Sequence, residues 1–222
     1  MKNAFTAGGF KRLIQTVLFF SSLLFTSCQK QAAAHAQQRG IPSGLSILYT
    51  RLNPDSTVSL FNPGGILDRY YLLDIDQDGV ADYVLHLHSQ KTGRSVIRLN
   101  NALTISPVNV NDNQVAVSNG WPAAFESPAV IGAGLTNWSK ASQQILGSYD
   151  GYCRFAETVN TCTGRYSGNW VYGSYGYVGL KMTKGGNNYY GWVRLAVKVG
   201  QTAACTVTDY GCSRIPDQLV IN

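Results

Sequence analysis

The sequence has very few of the residues and motifs on which most enzymes depend. Glutamate occurs only at Glu126 and Glu157, and histidine at three positions, in a chain of 222 residues. The chain contains no G-x-S-x-G, no H-E-x-x-H, no glycine-rich phosphate-binding loop and no dinucleotide-binding fingerprint. These absences exclude the motif-defined serine hydrolases, zinc peptidases and nucleotide-dependent enzymes, so we expect a protein without a catalytic role.

The sequence also has no apolar run long enough to span a membrane and no cluster of basic residues. The apolar stretch at 13–25 has thirteen residues, four of them polar, whereas a bilayer span needs about 20 apolar residues. Three of the 18 basic residues precede position 28, which leaves 15 basic against 12 acidic residues, a net charge of +3, and no basic run. Neither a transmembrane helix at 13–25 nor nucleic-acid binding is therefore indicated.

The beginning of the chain has the features of a targeting segment. Basic residues precede the apolar stretch, which ends in Thr26-Ser27-Cys28. This ending resembles the lipobox of bacterial lipoproteins, a family that usually has leucine where this chain has Phe25. The resemblance implies that Cys28 is diacylated and becomes the mature N-terminus. The alternative is an ordinary secretory signal with an incidental cysteine.

These features divide the chain into three parts. We predict a lipoprotein signal peptide at 1–27, a lipidated N-terminus with a flexible tether at 28–43, and one β-rich domain at 44–222. The tether is rich in Gln and Ala and has no apolar periodicity. Gln29 favours outer-membrane delivery by resemblance to known sorting preferences. The predicted location is the cell envelope, at the outer membrane or cell surface, where the lipid makes the membrane a partner.

Four cysteines remain when Cys28 is set aside. An even number of cysteines in an exported protein is expected to form disulfides. Three connectivities are open, and we favour the pairing of neighbours in sequence, which joins Cys153 to Cys162 and Cys205 to Cys212. A structural zinc site is the alternative, but the spacings and an oxidising compartment do not favour it.

Short apolar runs separated by turn residues dominate the rest of the chain. Strands at this spacing, with few helical periods, predict an all-β fold, an antiparallel β-sandwich that we expect to be jelly-roll-like. Near its start we predict a hairpin with strands at 46–50 and 57–61 about a turn at 53–56. The glycine- and proline-rich segment 119–135 predicts a long surface loop. The one helix candidate is 138–146, with Gly147 as its stop.

A second hairpin is predicted from strands at 177–182 and 190–197. Because strand residues two apart share a face, Val178, Leu180 and Met182 are expected in the core. The opposite face then carries Tyr177, Tyr190, Trp192 and Arg194. Aromatic rings stack well on the apolar faces of sugars, so this face is a candidate glycan-binding platform. The alternative is a face that a loop or a second sheet covers.

Four of the twelve acidic residues lie between positions 74 and 82, in one loop with strand-like flanks. Carboxylates this close repel one another unless a cation lies among them, and hard oxygen donors at alternate positions suit Ca²⁺. Gly79 occupies the place where the chain must turn sharply around the ion. We predict a structural Ca²⁺ site with Asp74, Asp76, Asp78 and Asp82 as ligands. An exposed acidic turn without an ion is the alternative.

This loop resembles the calcium loops of FG-GAP repeats, in which D-x-D-x-D-G-x-x-D closes a β-hairpin. The resemblance implies that the Val80 carbonyl is a further ligand. An EF-hand is excluded because Leu85 stands where its last glutamate would be and because the flanks alternate as strands.

Downstream of the loop, His86 and His88 share a strand face. A two-histidine metal site is conceivable there, but no third ligand is identifiable, and an ordinary sheet face is the simpler interpretation.

A wider resemblance covers residues 70–212. The early Asp-rich loop, the late segment Tyr190-Gly191-Trp192-Val193-Arg194-Leu195 and the following Asp209-Tyr210 are similar to a group of uncharacterised exported bacterial proteins. That resemblance implies a β-rich secreted domain. It points to no particular activity, because none is attached to the group.

The function predicted at this point is a lipid-anchored, calcium-stabilised, non-catalytic binding or structural module. Its ligand would be a glycan or an envelope protein. The alternative is a secreted, glycosidase-like hydrolase that uses Glu126 and Glu157, which requires the fold to bring these carboxylates within about 5–10 Å of each other.

Overall fold

A computed structural model describes residues 46–60, 62, 64–135, 137–155, 160–170 and 173–221. The predicted signal peptide, Cys28 and the tether at 28–43 lie outside the described residues. Within the described ranges the chain forms strands and connecting turns, with no α-helix. Accordingly, none of the described residues belongs to a helix long and apolar enough to cross a membrane.

Fourteen strands follow one another along the described part of the chain. In chain order they are β1 (Ile47–Leu60), β2 (Gly65–Leu73), β3 (Tyr83–Thr92), β4 (Val96–Pro107), β5 (Gln114–Ser118), β6 (Trp121–Pro122), β7 (Val130–Ile131), β8 (Trp138–Ser139), β9 (Gln144–Phe155), β10 (Asn160–Ser167), β11 (Ser174–Lys184), β12 (Asn187–Val199), β13 (Ala203–Ser213) and β14 (Val220–Ile221).

The strands form two large antiparallel sheets and one small one. The first sheet has the order β1-β13-β12-β11-β5-β6, with β8 also paired to β5. The second sheet has the order β10-β9-β4-β3-β2, and β7 pairs with β14 alone. Consecutive hairpins join β2, β3 and β4, and likewise β11, β12 and β13. The predicted all-β antiparallel sandwich is confirmed.

Alternating side chains of the two large sheets form the core between them. Val178, Leu180 and Met182 of β11 are buried there, as predicted, with Val193, Leu195 and Val197 of β12. The second sheet contributes a matching set: Leu85, Leu87, Leu103 and Ile105. Each such side chain stabilises the fold by roughly 1.5–3 kcal/mol through removal of apolar surface from water.

The predicted hairpin at the start of the domain is wrong. Residues 47–60 form the single edge strand β1, and β13 pairs with it both before and after the expected turn. The register shifts between Arg51 and Ser56, where the chain bulges and the Asn53–Pro54 peptide is cis. An edge strand accommodates proline at a bulge because no ladder hydrogen bond is needed there. The turn residues therefore mark a bulge rather than a reversal.

The predicted helix at 138–146 is also wrong. Trp138 belongs to the short strand β8, and the chain from Gln144 onward is β9, which lies between β4 and β10. Leu146 is completely buried in the core. One weak turn of helical periodicity cannot compete with hydrogen bonding on both edges of β9 and with the burial of its inward side chains.

One of the two expected disulfides is present. Cys153 of β9 and Cys162 of β10 face each other in register and are bonded. Cys205 and Cys212 are buried free thiols, so their predicted pairing is wrong. Both lie on β13, and because a strand rises about 3.3 Å per residue their Cα atoms are about 23 Å apart, far beyond disulfide reach. Burial raises the pKa of each thiol to about 12.

Candidate metal centre

The acidic loop is the turn between β2 and β3, and its base is fixed to the core. The Asp82 amide donates to the Leu73 carbonyl at 2.8 Å, and the Ile75 amide donates to Asp82 Oδ2 at 2.9 Å. Leu73, Ile75 and Tyr83 are completely buried. The conformation of the loop is thus coupled directly to the packing of the sandwich.

Asp74 organises the turn from its centre. Its carboxylate oxygens accept hydrogen bonds from the Asp78 amide at 3.1 Å and the Gly79 amide at 2.9 Å. Gly79 has φ +89°, and a Cβ added there would meet nothing within 4 Å. The requirement for glycine is therefore conformational, since other residues rarely adopt a positive φ. The chain bends back at this place, as the sequence predicts.

Three of the four predicted side-chain ligands converge. Asp74, Asp76 and Asp78 each place one carboxylate oxygen within 4.8 Å of the other two. Oxygen atoms bound to one Ca²⁺ at about 2.3–2.6 Å lie at most about 5 Å apart. The three carboxylates therefore fit around such an ion with little rearrangement.

Asp76 has a buried carboxylate oxygen without a hydrogen-bond donor in the described part of the chain. Its Oδ1 atom is buried, and none of the described residues supplies it with a hydrogen bond. A buried carboxylate oxygen without a donor is costly. A metal ion that Asp76 bound through Oδ1 would satisfy this atom, and three carboxylates are hard oxygen donors of the kind that Ca²⁺ takes.

Asp82 lies apart from that group. Only 6% of the residue is exposed, and its carboxylate is turned toward the Ile75 amide at the base of the loop. Burial raises its pKa from the ordinary 3.8 to about 6. The Val80 side chain is exposed and its amide donates to Asp78 Oδ1 at 2.8 Å; the role of its carbonyl as a ligand stays a prediction.

The pKa of Asp82 makes stability depend on pH. Because the folded protein holds this proton more tightly than the unfolded chain, the contribution of Asp82 is complete below about pH 4 and is lost as the pH rises through about 6. In chelator we expect wild type to lose about 2–3 kcal/mol relative to Asp82→Asn between pH 4 and pH 7. Urea unfolding of both proteins from pH 4 to pH 7 measures the difference. A difference that does not change with pH would contradict this placement of Asp82.

Lys184 pairs with two carboxylates of the loop. Its Nζ contacts Asp76 Oδ2 and lies 2.8 Å from Asp78 Oδ2. Burial of Lys184 opposes its charge, but the hydrogen bonds to Asp76 and Asp78 prevail and raise the pKa of the ammonium. The same contact lowers the pKa of Asp78. One ammonium against three carboxylates leaves the loop with net negative charge, and a metal ion would have to displace or share the place of Lys184.

A cleft of about 520 Å³ borders this loop. Asp76 and Lys184 lie in its wall together with Arg214, and Leu48 and Tyr189 supply apolar surface. A cation held by the loop would therefore be reachable from the cleft. Charged groups of both signs and an aromatic ring suit a polar ligand of small size.

The predicted aromatic platform is not an open surface. Tyr177, Tyr190 and Trp192 do share the outer face of the first sheet, but all three are buried. The strands β7 and β14 and the segment around Leu135 and Trp138 cover them. Large rings on a sheet face bury 150–250 Å² each, which explains why the chain folds over them. The prediction of these rings as a glycan platform is therefore wrong.

Arg194 forms an ion pair with the buried carboxylate of Asp209. Its Nε donates to Asp209 Oδ1 at 2.7 Å, and its Nη2 contacts Oδ2 of the same carboxylate. The Tyr49 hydroxyl donates to Asp209 Oδ2 at 2.8 Å. Arg194 belongs to the segment Tyr190-Gly191-Trp192-Val193-Arg194-Leu195, and Asp209 to the following Asp209-Tyr210. The ion pair therefore connects the two late sequence segments in space.

Only one of the two glutamates of the hydrolase alternative lies within the described ranges. Glu126 is exposed in the loop between β6 and β7, and Glu157 lies outside the described residues. No observation on the described part of the chain therefore favours that alternative.

Two residues of the candidate sites escaped the sequence analysis. Lys184 is more than one hundred residues from the acidic loop in sequence and reaches it only through the packing of the two sheets. Asp68 contacts both His86 and His88 from the neighbouring strand. The predicted hairpin around the acidic loop already places the strand of Asp68 beside that of the histidines, but only the strand register shows which residues face each other.

Neither a protein-family model nor a curated protein nor a solved structure matches the chain.

Proposed function

We propose that the chain is a lipid-anchored, non-catalytic binding module of the bacterial cell envelope whose sandwich is stabilised by Ca²⁺ in the acidic loop. The observation that carries the calcium site is the convergence of Asp74, Asp76 and Asp78 at one turn, with Asp76 Oδ1 lacking a donor among the described residues. The resemblance of Cys28 and its preceding residues to a lipobox supports the anchor and the location.

Coupling of the loop to the core supports a stabilising role. The base of the loop is bonded through Asp82 to Leu73 and Ile75, both completely buried. An ion that binds only the folded loop shifts the folding equilibrium toward the native state. Oxygen ligands from one short segment are an arrangement that Ca²⁺ tolerates because its coordination geometry is flexible.

The cleft beside the loop is the surface that we assign to the ligand, because the aromatic face of β11 and β12 is covered. An envelope glycan suits this place. Hydroxyl groups are hard oxygen donors that complete the coordination of Ca²⁺, and they accept hydrogen bonds from Lys184 and Arg214 on the cleft wall.

Calorimetric titration with Ca²⁺ tests the proposal. We expect one ion per chain in wild type, and no binding by Asp76→Asn or Asp78→Asn. Asp55→Asn is the matched control, because Asp55 is a carboxylate in the β1 bulge, paired with Arg51 at 3.1 Å. Lys184→Gln should bind Ca²⁺ several-fold more tightly, since it removes a competing cation from Asp76 and Asp78. Absence of binding by wild type, or equal binding by Asp76→Asn, would overturn the calcium site.

A further inference from the structure

A second group of metal-ligand side chains lies on the outer face of the second sheet. Asp68 is on β2, and His86 and His88 are on β3. Asp68 Oδ1 lies 2.7 Å from His86 Nε2 and 2.9 Å from His88 Nδ1. One ligand atom from each residue is within 4.8 Å of the other two. The structure thus supplies the third ligand that the two histidines lack in sequence.

Strand geometry explains the arrangement. His86 and His88 are two residues apart and point away from the core, while Leu85 and Leu87 point into it. In the antiparallel register Asp68 is opposite His88 and Tyr70 is opposite His86. A carboxylate at this position reaches both imidazoles at once, one directly opposite and one diagonally.

The three side chains are held in place and remain reachable from solvent. Tyr70 stacks on the His86 ring, with 4.4 Å between centroids and 10° between planes. The side chains of His86, His88 and Asp68 are 18%, 30% and 36% exposed. Partial cover restricts the rotamers of the ligands, and the exposed side gives an ion a path of entry.

We infer that Asp68, His86 and His88 bind a divalent transition-metal ion, for which Zn²⁺ is the probe. Two imidazole nitrogens and one carboxylate oxygen are the donor set of three-ligand zinc sites, and three protein ligands leave a fourth position for water. Imidazole nitrogen is a borderline ligand that favours Zn²⁺ over Ca²⁺, in contrast to the all-oxygen acidic loop. The two sites therefore select different ions.

The two distances to Asp68 require only a small adjustment. Ligand atoms around a tetrahedral ion with bonds of about 2.0–2.1 Å lie about 3.3–3.4 Å apart. The present separations of 2.7 and 2.9 Å are those of hydrogen bonds, so each must lengthen by about half an ångström to admit the ion. One ring nitrogen of each histidine lies within 4.8 Å of that of the other. The metal then replaces the protons that now join each imidazole to Asp68.

Calorimetric titration with ZnCl₂ tests this inference, on full-length protein without a histidine tag and with Ca²⁺ present in excess. We expect one Zn²⁺ per chain in wild type, and at least tenfold weaker binding in Asp68→Asn, His86→Gln and His88→Gln. His35→Gln is the matched control, because His35 is the third histidine of the chain, and it should bind as wild type does. Asp76→Asn should keep Zn²⁺ while losing Ca²⁺, which separates this site from the proposed calcium function.

Ring resonances of the histidines in heteronuclear NMR provide a second measurement on wild type, independent of the folding of any variant. Addition of Zn²⁺ should shift the signals of His86 and His88 and leave that of His35 in place. Absence of Zn²⁺ binding by wild type would overturn the inference, as would undiminished binding by the His86→Gln, His88→Gln double variant. Loss of binding in His35→Gln would place the ion elsewhere and overturn it as well.

Discussion

Replacement of Asp209 by alanine is expected to lower the free energy of unfolding by about 3–5 kcal/mol. The Asp209 side chain is only 2% exposed, and its carboxylate accepts hydrogen bonds from Arg194 and Tyr49. Its removal leaves the partly buried Arg194 guanidinium without its counter-charge and the Tyr49 hydroxyl without its acceptor. An uncompensated charge inside a fold costs far more than an ion pair in water contributes.

The Arg51–Asp55 pair provides the control for an exposed ion pair. Arg51 also lies 3.5 Å from Asp209 Oδ2, and it stays in place in both variants. Asp55 lies 3.1 Å from Arg51, and the two side chains are 40% and 35% exposed. Exposed pairs of this kind contribute about 0–1 kcal/mol, so Asp55→Ala should unfold almost as wild type does. Urea denaturation of the two variants measures both effects. If Asp209→Ala unfolds within 1 kcal/mol of Asp55→Ala, the buried ion pair does not hold the first sheet as described.

Saturating Ca²⁺ is expected to raise the melting temperature by about 5–10 °C relative to excess chelator. An ion at about 100 times its dissociation constant adds about 2.7 kcal/mol to the stability. For a domain of this size each kcal/mol corresponds to about 2–4 °C. Calcium sites of extracellular modules have dissociation constants of about 0.1–1 mM, so the scan is run with about 10 mM CaCl₂ or more.

Two kinds of control accompany this melting experiment: substitution of the predicted ligands, and replacement of Ca²⁺ by Mg²⁺. Asp76→Asn and Asp78→Asn should melt at one temperature with and without Ca²⁺, and Asp55→Asn should keep the full shift. Mg²⁺ should give a smaller shift, because it demands a tighter octahedral shell and gives up its water reluctantly. An equal shift in Asp76→Asn and wild type would contradict the assignment of the ion to this loop.

Regular alternation made much of the architecture predictable. The hairpin of β11 and β12 and its inward set of Val178, Leu180 and Met182 follow from the period of two. The turn at Gly79 follows from the spacing of the Asp residues and the need for a positive φ. The disulfide between Cys153 and Cys162 was predictable because the two cysteines are close in sequence. They lie opposite each other in neighbouring strands.

The wrong predictions have a common physical cause. Residues 53–56 are compatible with a turn or with an edge-strand bulge, and only the pairing of β1 with β13 on both sides decides between them. The helical periodicity around Trp138 is too short to outweigh the hydrogen bonds that β9 forms with β4 and β10. Cys205 and Cys212 are close in sequence, but an extended strand holds them apart. In each case tertiary pairing overrides a local preference.

The candidate sites were predictable only in part for the same reason. Asp74, Asp76 and Asp78 come from one segment, so their convergence is a local property. Lys184 reaches the loop from the end of β11, and Asp68 reaches His86 and His88 through strand register. Contacts of this kind depend on how strands are paired, which spacing along the chain does not encode.

A crystal structure of the protein grown with about 10 mM Ca²⁺ or more tests the central claim most directly. An anomalous difference peak between the carboxylates of Asp74, Asp76 and Asp78, with the Lys184 ammonium moved away from Asp76, is the predicted result. Density in which Lys184 still bridges Asp76 and Asp78, with no ion beside them at that calcium concentration, would contradict it.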